Sequence, residues 1–185
     1  MVTDTLPDLL REGLDVVFVG INPSLYSVER GHYFARRSNR FWPGLSRSVL
    51  SARARAGLGV ASLEPVHDDA LLAYGIGFTD LVKFATVRAD EVTKVQFAVG
   101  VDELAVKLEQ YRPRIACFHG VTGYRYVQFA LSGAVGAVNL GPQQLQIGTT
   151  RLFVVPNPSG ANAHFTPADQ TQWYDRLAEE IDRVR

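Results

Sequence analysis

The chain has 185 residues, an apolar fraction of 46%, a charged fraction of 21% and 19 basic against 19 acidic residues. These values are typical of a globular protein, and the zero net charge argues against a protein that coats nucleic acid by bulk charge. Its apolar runs are shorter than the roughly 20 residues that span a bilayer, and a single cysteine excludes a disulfide framework and a cysteine-based metal site. We therefore expect one cytoplasmic domain over residues 1–185, without a signal peptide.

Strand and helix signals alternate along the chain. The predicted elements are strand 15–19, a long loop to residue 39, helix 41–52, helix 68–74, strand 77–82, helix 101–111, strand 114–118, helix 121–131, and a hairpin of strands 145–147 and 151–155. Thr166, Pro167 and Asp169 form the start signal of a last helix that runs to about residue 184. This alternation predicts the α/β class, as a three-layer α/β/α sandwich with a central, mainly parallel sheet.

Two predicted strands end in the same polar sequence. The run over 16–19 continues into Gly20-Ile21-Asn22-Pro23-Ser24, and the run over 152–155 continues into Pro156-Asn157-Pro158-Ser159-Gly160. Ligands of open α/β sheets bind at the carboxyl ends of the strands. We therefore predict that the two segments form two walls of one site.

Five segments, in this order, resemble the mismatch-specific uracil-DNA and thymine-DNA glycosylases: GINPS (20–24), NRFW (39–42), YGIGFT (74–79), YRPRIA (111–116) and NPSG (157–160). The resemblance covers roughly residues 15–183. It implies a uracil-DNA glycosylase-like fold and a monofunctional enzyme that hydrolyses the N-glycosidic bond of uracil, best opposite guanine, in base excision repair. The implied partner is double-stranded DNA with a mismatched or damaged base, and the implied enzyme is a monomer without metal or cofactor.

The first motif supplies the candidate base pocket. Asn22 matches the catalytic asparagine of the family, and its amide can orient a water through oxygen and donate through nitrogen. Phe34 lies where the family carries an aromatic that stacks on the flipped base, although an aromatic there could also fill the core. Ile21, through its backbone, and Ser27 are further candidates for contacts with the base. An ordinary Asn-Pro turn is the alternative for Asn22.

Asp80 departs from the family pattern, in which this position is neutral or basic. It follows the segment 74–79 at the expected end of the second strand. A carboxylate there would accept a proton from water and face a developing cation, which an amide cannot do. We predict that Asp80 activates or positions the water with help from Asn22. The alternative is a carboxylate that caps the loop or pairs with Lys83.

The second motif carries the predicted DNA contacts, which are Asn157, Ser159, Gly160, Ala161, Asn162 and His164. In uracil-specific relatives a bulky side chain and an arginine follow this motif and wedge into the DNA. Residues 161–163 are small in this chain, so we expect a weaker wedge and more reliance on an existing mispair. His164 could instead cap the last helix.

Five arginines follow the first motif within a stretch whose only acid is Glu29; they are Arg30, Arg36, Arg37, Arg40 and Arg47. We predict a modest DNA-facing patch there, with a solvated charged face as the alternative. Asn39 is expected to cap the following helix, and Phe41 and Trp42 to anchor it in the core.

Other functions remain open at this point. The same fold could act mainly on another base, such as hypoxanthine, an etheno adduct or thymine. A non-catalytic α/β module that binds nucleotides or damaged DNA would bind without base release. An α/β domain in which these loops are only structural would do neither.

Overall fold

The computed structural model describes residues 5–185, and within them one five-stranded sheet organises the chain. Its strands are β1 (Val16–Gly20), β2 (Ile76–Asp80), β3 (Ile115–His119), β4 (Gly141–Ile147) and β5 (Thr150–Val155). The strand order is β2-β1-β3-β5-β4; the first four are parallel, and β4 at the edge is antiparallel to β5. The predicted α/β class and mainly parallel sheet are confirmed.

Within residues 5–185, six α-helices connect and cover the strands. They are α1 (Leu25–Arg30), α2 (Phe41–Arg47), α3 (Ala52–Leu58), α4 (Lys94–Tyr111), α5 (Val121–Ser132) and α6 (Pro167–Arg183), with short 3-10 turns at Val49–Ser51, Pro65–His67, Ala70–Tyr74 and Ala89–Glu91. Within residues 5–185, no helix combines the length and the apolar character needed to cross a membrane.

The sheet separates two hydrophobic cores, because successive side chains of a strand point to opposite faces. On β1, Val16 and Phe18 belong to the core beneath α2 and α6, whereas Val17 and Val19 belong to the core beneath α4 and α5. All five residues of β1 are buried. A central strand that is covered on both sides reads as a continuous apolar run, which is why the sequence predicts it well.

Local signals placed the ends of several elements correctly. The Thr166–Asp169 capping box starts α6, and β4 and β5 form the predicted hairpin. The predicted helix 41–52 is wrong in its middle, since Ser48 is extended and its hydroxyl accepts from the backbone of Leu50. Helix α4 begins seven residues before the predicted start, at a capping box that Thr93 forms with Gln96. The predicted loop after β1 contains α1, which Ser24 caps.

Candidate active site

A cavity of about 540 Å³ opens at the carboxyl edge of β1, β2 and β3. Both Asn-Pro-Ser segments line it, one after β1 and the other after β5. The predicted site residues at its wall are Ile21, Asn22, Ser27, Phe34, Asp80, Asn157, Ser159 and Ala161. Residues that lie far apart in the sequence therefore meet in one concave surface, as is usual for ligand sites.

The side-chain amide of Asn22 is held in one orientation. Its nitrogen donates to the carbonyl oxygen of Phe84 at 2.9 Å and to the hydroxyl of Thr86 at 2.8 Å. Phe84 offers only an acceptor there, and the Thr86 hydroxyl gives its own proton to the carbonyl of Arg88 at 2.7 Å. Both partners therefore require the amide nitrogen, and Oδ1 is the atom of Asn22 that remains to accept a hydrogen bond.

Asp80 ends β2 directly beside Gly20, its register partner on β1. A Cβ at position 20 would lie 2.3 Å from Asp80 Oδ1, so only glycine leaves room for the carboxyl. The residue is 4% exposed, and Oδ2 has no hydrogen-bond partner among residues 5–185. Burial raises the pKa of Asp80 to about 7, because a buried carboxylate loses its hydration.

Among residues 5–185, the cation nearest to Asp80 is Lys83, which pairs more closely with Asp8. Lys83 Nζ lies 4.0 Å from Asp80 Oδ2 but only 2.9 Å from Asp8 Oδ1. Asp8 also pairs with Lys107 at 2.7 Å and accepts from the hydroxyl of Thr79 at 2.7 Å. Lys83 lowers the pKa of Asp80 and Asp8 raises it, and both effects are smaller than that of burial. The alternative in which Asp80 pairs with Lys83 is met in part, since the two groups form an ion pair at 4.0 Å while Lys83 contacts Asp8 more closely.

Phe34 forms an aromatic wall of the cavity. Its ring stacks on Phe41 with centroids 4.3 Å apart and an interplanar angle of 21°, and its backbone has φ of 52°. A left-handed backbone at a non-glycine residue is costly and recurs at binding sites. The neighbouring Tyr33 is instead buried, stacks on Phe78 and donates its hydroxyl to the carbonyl of Pro7. Ser27 is 5% exposed and bonds to the Ser24 hydroxyl at 3.1 Å.

The second-motif loop is held by its own polar groups. Asn157 Oδ1 accepts from the backbone of Ser159, and the Ser159 hydroxyl accepts from the backbone of Ala161. Asn162 donates to the carbonyl of Asn157 and accepts from the backbone of His164, so its amide closes the loop. Such Asx and serine turns fix a loop without regular secondary structure.

The remaining second-motif residues lie outside the main cavity. Asn162 and His164 line an adjacent groove, and a Cβ at Gly160 would meet the carbonyl of Ser38 at 2.6 Å. Thr166, not His164, caps α6, so the capping alternative for His164 is wrong.

A model of the uracil DNA glycosylase superfamily matches residues 7–179. The chain belongs to this superfamily. It is therefore a DNA glycosylase, a hydrolase of N-glycosyl bonds, and DNA is its substrate. This result favours the predicted enzyme over the non-catalytic module.

A solved structure supports the fold of this glycosylase. The solution NMR structure of a protein from Methanosarcina acetivorans, named as a candidate uracil DNA glycosylase, is similar with a TM-score of 0.52 and 19% identity. The match covers 96% of this chain and 99% of that chain. At such identity the likeness concerns the arrangement of helices and strands.

The arginines of the predicted patch do not all face solvent in the glycosylase. Arg40 donates from Nη1 to the carbonyls of Asn162, at 2.8 Å, and Phe165, so it holds the second-motif loop and is not a free cation for DNA. Arg30 lies over the ring of Tyr26, 5.2 Å from its centroid. Arg36 and Arg37 are exposed, and Arg36 lies at the cavity wall, so these two remain candidates for phosphate contacts.

Sequence reasoning missed two groups of the glycosylase site. Thr86 gave no local signal, because its role depends on a contact with Asn22, 64 residues away. His119 ends β3 and lies at the cavity wall with Asn22 and Asp80. Its position directly after the apolar run 115–118 could have indicated it, since parallel strands end at the same edge.

Proposed function

We propose that this glycosylase excises uracil from double-stranded DNA, with G:U mismatches preferred, as a member of the mismatch-specific and thymine-type subfamily. The proposal depends on one observation: the same cavity is lined by an asparagine whose amide orientation is fixed by hydrogen bonds and by a buried carboxylate. Asn22 offers Oδ1 because its nitrogen is engaged, and Asp80 has a pKa of about 7. A general base works best when its pKa lies near the operating pH.

The proposed step follows from these two groups. A water molecule donates one hydrogen bond to Asn22 Oδ1, which orients it. The oxygen of this water then forms a bond to C1′ of the flipped nucleotide. The N-glycosidic bond breaks, the electron pair leaves with the base as an anion, and the water's second proton passes to Asp80. The negative carboxylate also faces the positive charge that develops on the sugar. The base would stack on the face of the Phe34 ring that does not pack against Phe41.

The opposite-base preference rests on the second-motif loop. Ala161 and Ala163 are exposed and small, so they offer little apolar volume to fill the gap that a flipped nucleotide leaves. A mispaired base costs less to flip than a paired one. We therefore expect uracil opposite guanine to react faster than uracil opposite adenine.

A second substrate is favoured by the size of the cavity. A volume of about 540 Å³ has room for a purine as well as a pyrimidine. Hypoxanthine is thus the first alternative to uracil, followed by etheno adducts and thymine. Duplexes that carry each of these bases would rank them.

The deciding experiment measures base release in single turnover from a labelled duplex with one uracil opposite guanine, followed by alkaline cleavage of the abasic strand. We expect wild type to cut, and Asp80→Ala to lose more than Asn22→Ala, each by at least about 100-fold, as for removal of an electrostatic group at other active sites. Loss confined to Asn22→Ala would make Asp80 structural. No release by wild type would refute uracil as the substrate and turn attention to the other bases.

We also infer that residues 1–185 act as one catalytic domain and as a monomer. The two cores flank one sheet, and the family match spans most of the chain. Light scattering of the purified protein, with and without duplex, checks the monomer.

A further inference from the structure

His119 is a buried polar side chain that the proposed reaction does not use. It is 4% exposed, lies at the wall of the main cavity and also lines the adjacent groove. Its ring stacks on Phe18 with centroids 5.3 Å apart and meets Phe34 edge-on at 5.0 Å. The residue therefore lies in an apolar setting next to the aromatic wall that would hold the base.

The two ring nitrogens of His119 differ in their partners. Nε2 lies 3.0 Å from the hydroxyl of Tyr174, whereas Nδ1 is buried and has no hydrogen-bond partner among residues 5–185. Buried polar atoms are nearly always hydrogen-bonded, so an unpartnered one in a side chain at a cavity wall is a candidate for contact with a ligand that enters the cavity.

The position of the proton follows from Tyr174. Burial raises the pKa of Tyr174 and the side-chain amide of Gln170 lowers it, as a group that donates to the phenol oxygen does, so His119 Nε2 at 3.0 Å is the acceptor beside this buried hydroxyl. A buried phenol that has one neighbouring acceptor donates to it, which leaves Nε2 as the acceptor. Burial lowers the pKa of His119 to about 3, so the ring is neutral at physiological pH. A neutral ring that accepts at Nε2 carries its proton on Nδ1, and Nδ1–H is then a donor without an acceptor among the residues that the structure describes.

We infer that His119 donates from Nδ1–H to the carbonyl oxygen at the deaminated position of the base in the cavity, O4 of uracil or O6 of hypoxanthine, and thereby selects keto bases over amino bases. This inference rests on the proposed function, because it assigns to His119 the recognition of the base in the same cavity. Deamination turns an amino group, which donates, into a carbonyl, which accepts. A fixed donor therefore distinguishes uracil from cytosine and hypoxanthine from adenine.

The apolar surroundings make the donor selective. A site that is built to hydrogen-bond one group rejects an analogue without it, because its own polar atom is left unpaired. The same donor becomes stronger as the base leaves, since negative charge spreads onto the carbonyl oxygen. Tyr174 is a positioning residue in this arrangement, because it holds the ring and its tautomer.

Matched substitutions separate the two nitrogens. In His119→Asn the amide nitrogen can replace Nδ1–H, whereas His119→Gln reaches toward Tyr174 and has no donor at that place. His119→Phe removes both and keeps an aromatic ring. Each variant is first checked by thermal unfolding, and base release is then measured from duplexes with uracil, 2-thiouracil or 4-thiouracil opposite guanine. Sulfur is a much weaker acceptor than oxygen.

The inference predicts coupling between the residue and one carbonyl. Wild type and His119→Asn should release 4-thiouracil, which carries sulfur at the deaminated position, about 100-fold more slowly than uracil, as for loss of an oxyanion contact. His119→Gln and His119→Phe should be slow on uracil and show no further loss on that thiouracil. If the rate loss caused by each His119 substitution and the rate loss caused by sulfur in the base simply multiplied in all variants, the two would be independent. That result would overturn the inference, even if wild type releases uracil well.

A binding measurement decides the matter without catalysis. Wild type with ¹⁵N-labelled histidine is titrated with a duplex whose uracil carries a 2′-fluorinated arabinose, which resists hydrolysis. We expect a proton on His119 Nδ1 that moves downfield with the uracil duplex and not with a cytosine duplex. A proton on Nε2, or no movement, would overturn the inference. Movement without base release from the ordinary substrate would refute the proposed reaction alone.

Discussion

Asn22 and Asp80 acquire their chemistry from different surroundings. Asn22 has both amide protons engaged by the segment after β2, which turns an ordinary side chain into a directed acceptor. Asp80 is desolvated, and this burial raises its pKa to about 7, so that its carboxylate can accept a proton near neutral pH. Hydrogen bonds define the role of Asn22, whereas burial defines that of Asp80, whose Oδ2 has no hydrogen-bond partner within residues 5–185.

The buried carboxyl of Asp80 should make the folded protein less stable as the pH rises. The pKa of this carboxyl is about 7 in the folded protein against 3.8 for an unperturbed aspartate, so the folded state holds the proton more tightly. Stability is therefore lost as the pH rises from about 4 to about 7, by up to about 4 kcal/mol in the free energy of unfolding. We expect Asp80→Asn to be increasingly more stable than wild type over this range, as measured by urea unfolding.

The control for that prediction is Asp102→Asn, which changes an exposed carboxyl on α4. Its free energy of unfolding should follow wild type at every pH. A constant difference between Asp80→Asn and wild type would show that the pKa of Asp80 is not raised.

At the scale of elements, the segment after β2 serves as a support for the turn after β1. Ser24 and Thr86 form a parallel bridge, and the backbone nitrogen of Thr86 donates to the carbonyl of Pro23 at 3.2 Å. The two turns thus continue the pairing of β1 and β2 beyond the sheet. This arrangement places Asn22, the proposed catalytic asparagine, against a hydrogen-bonded neighbour rather than on a free loop.

Thr86→Val should slow base release by about five- to tenfold. The change keeps the shape but removes the acceptor for Asn22, and a net hydrogen bond is worth about 1 kcal/mol. Thr150→Val is the matched control, since Thr150 is also buried and donates to a backbone carbonyl, that of Pro113 at 2.9 Å. Both variants should lose similar stability, and only Thr86→Val should lose rate in single turnover. Equal losses of rate would mean that Thr86 acts through stability alone.

Across the whole molecule, the electrostatics of the cavity depend on the segment that precedes β1. Leu9 in this segment pairs with Phe78 of β2 through two backbone hydrogen bonds, each 2.9 Å. This pairing holds Asp8 between Lys83 and Lys107, which come from the loop after β2 and from α4. Three distant parts of the chain thus determine how strongly the two lysines lower the pKa of Asp80.

Asp8→Asn and Lys83→Met should shift the pH dependence of base release in opposite directions. Burial is the main cause of the raised pKa of Asp80; Asp8 raises this pKa further and Lys83 lowers it. Removal of Asp8 should therefore move the midpoint of the rate profile to lower pH, and removal of Lys83 to higher pH. Single-turnover rates between pH 5 and 9 measure both, with Lys94→Met as the control for an exposed lysine.

Shifts of the same sign in the two variants, or a profile without a midpoint in wild type, would contradict Asp80 as the titrating base. Unfolding curves for both variants, measured at the same pH values, separate a shifted pKa from a loss of folded protein.

The sequence by itself determined the elements whose signals are local. Strand β1 is a short apolar run, α6 starts at a capping box, and the β4–β5 hairpin turns at glycine. These patterns act within a few residues, so they can be interpreted without the fold. The same holds for the two Asn-Pro-Ser segments, because parallel strands end at one edge and carry their following residues to it.

Only the tertiary structure decided what those residues can do. The orientation of Asn22 depends on Thr86, the proton of His119 on Tyr174, and the charge of Asp80 on burial and Asp8. Each of these contacts joins residues that are more than 50 positions apart in the chain. Hydrogen-bond partners and desolvation arise from packing in three dimensions, and no pattern of neighbouring residues specifies them.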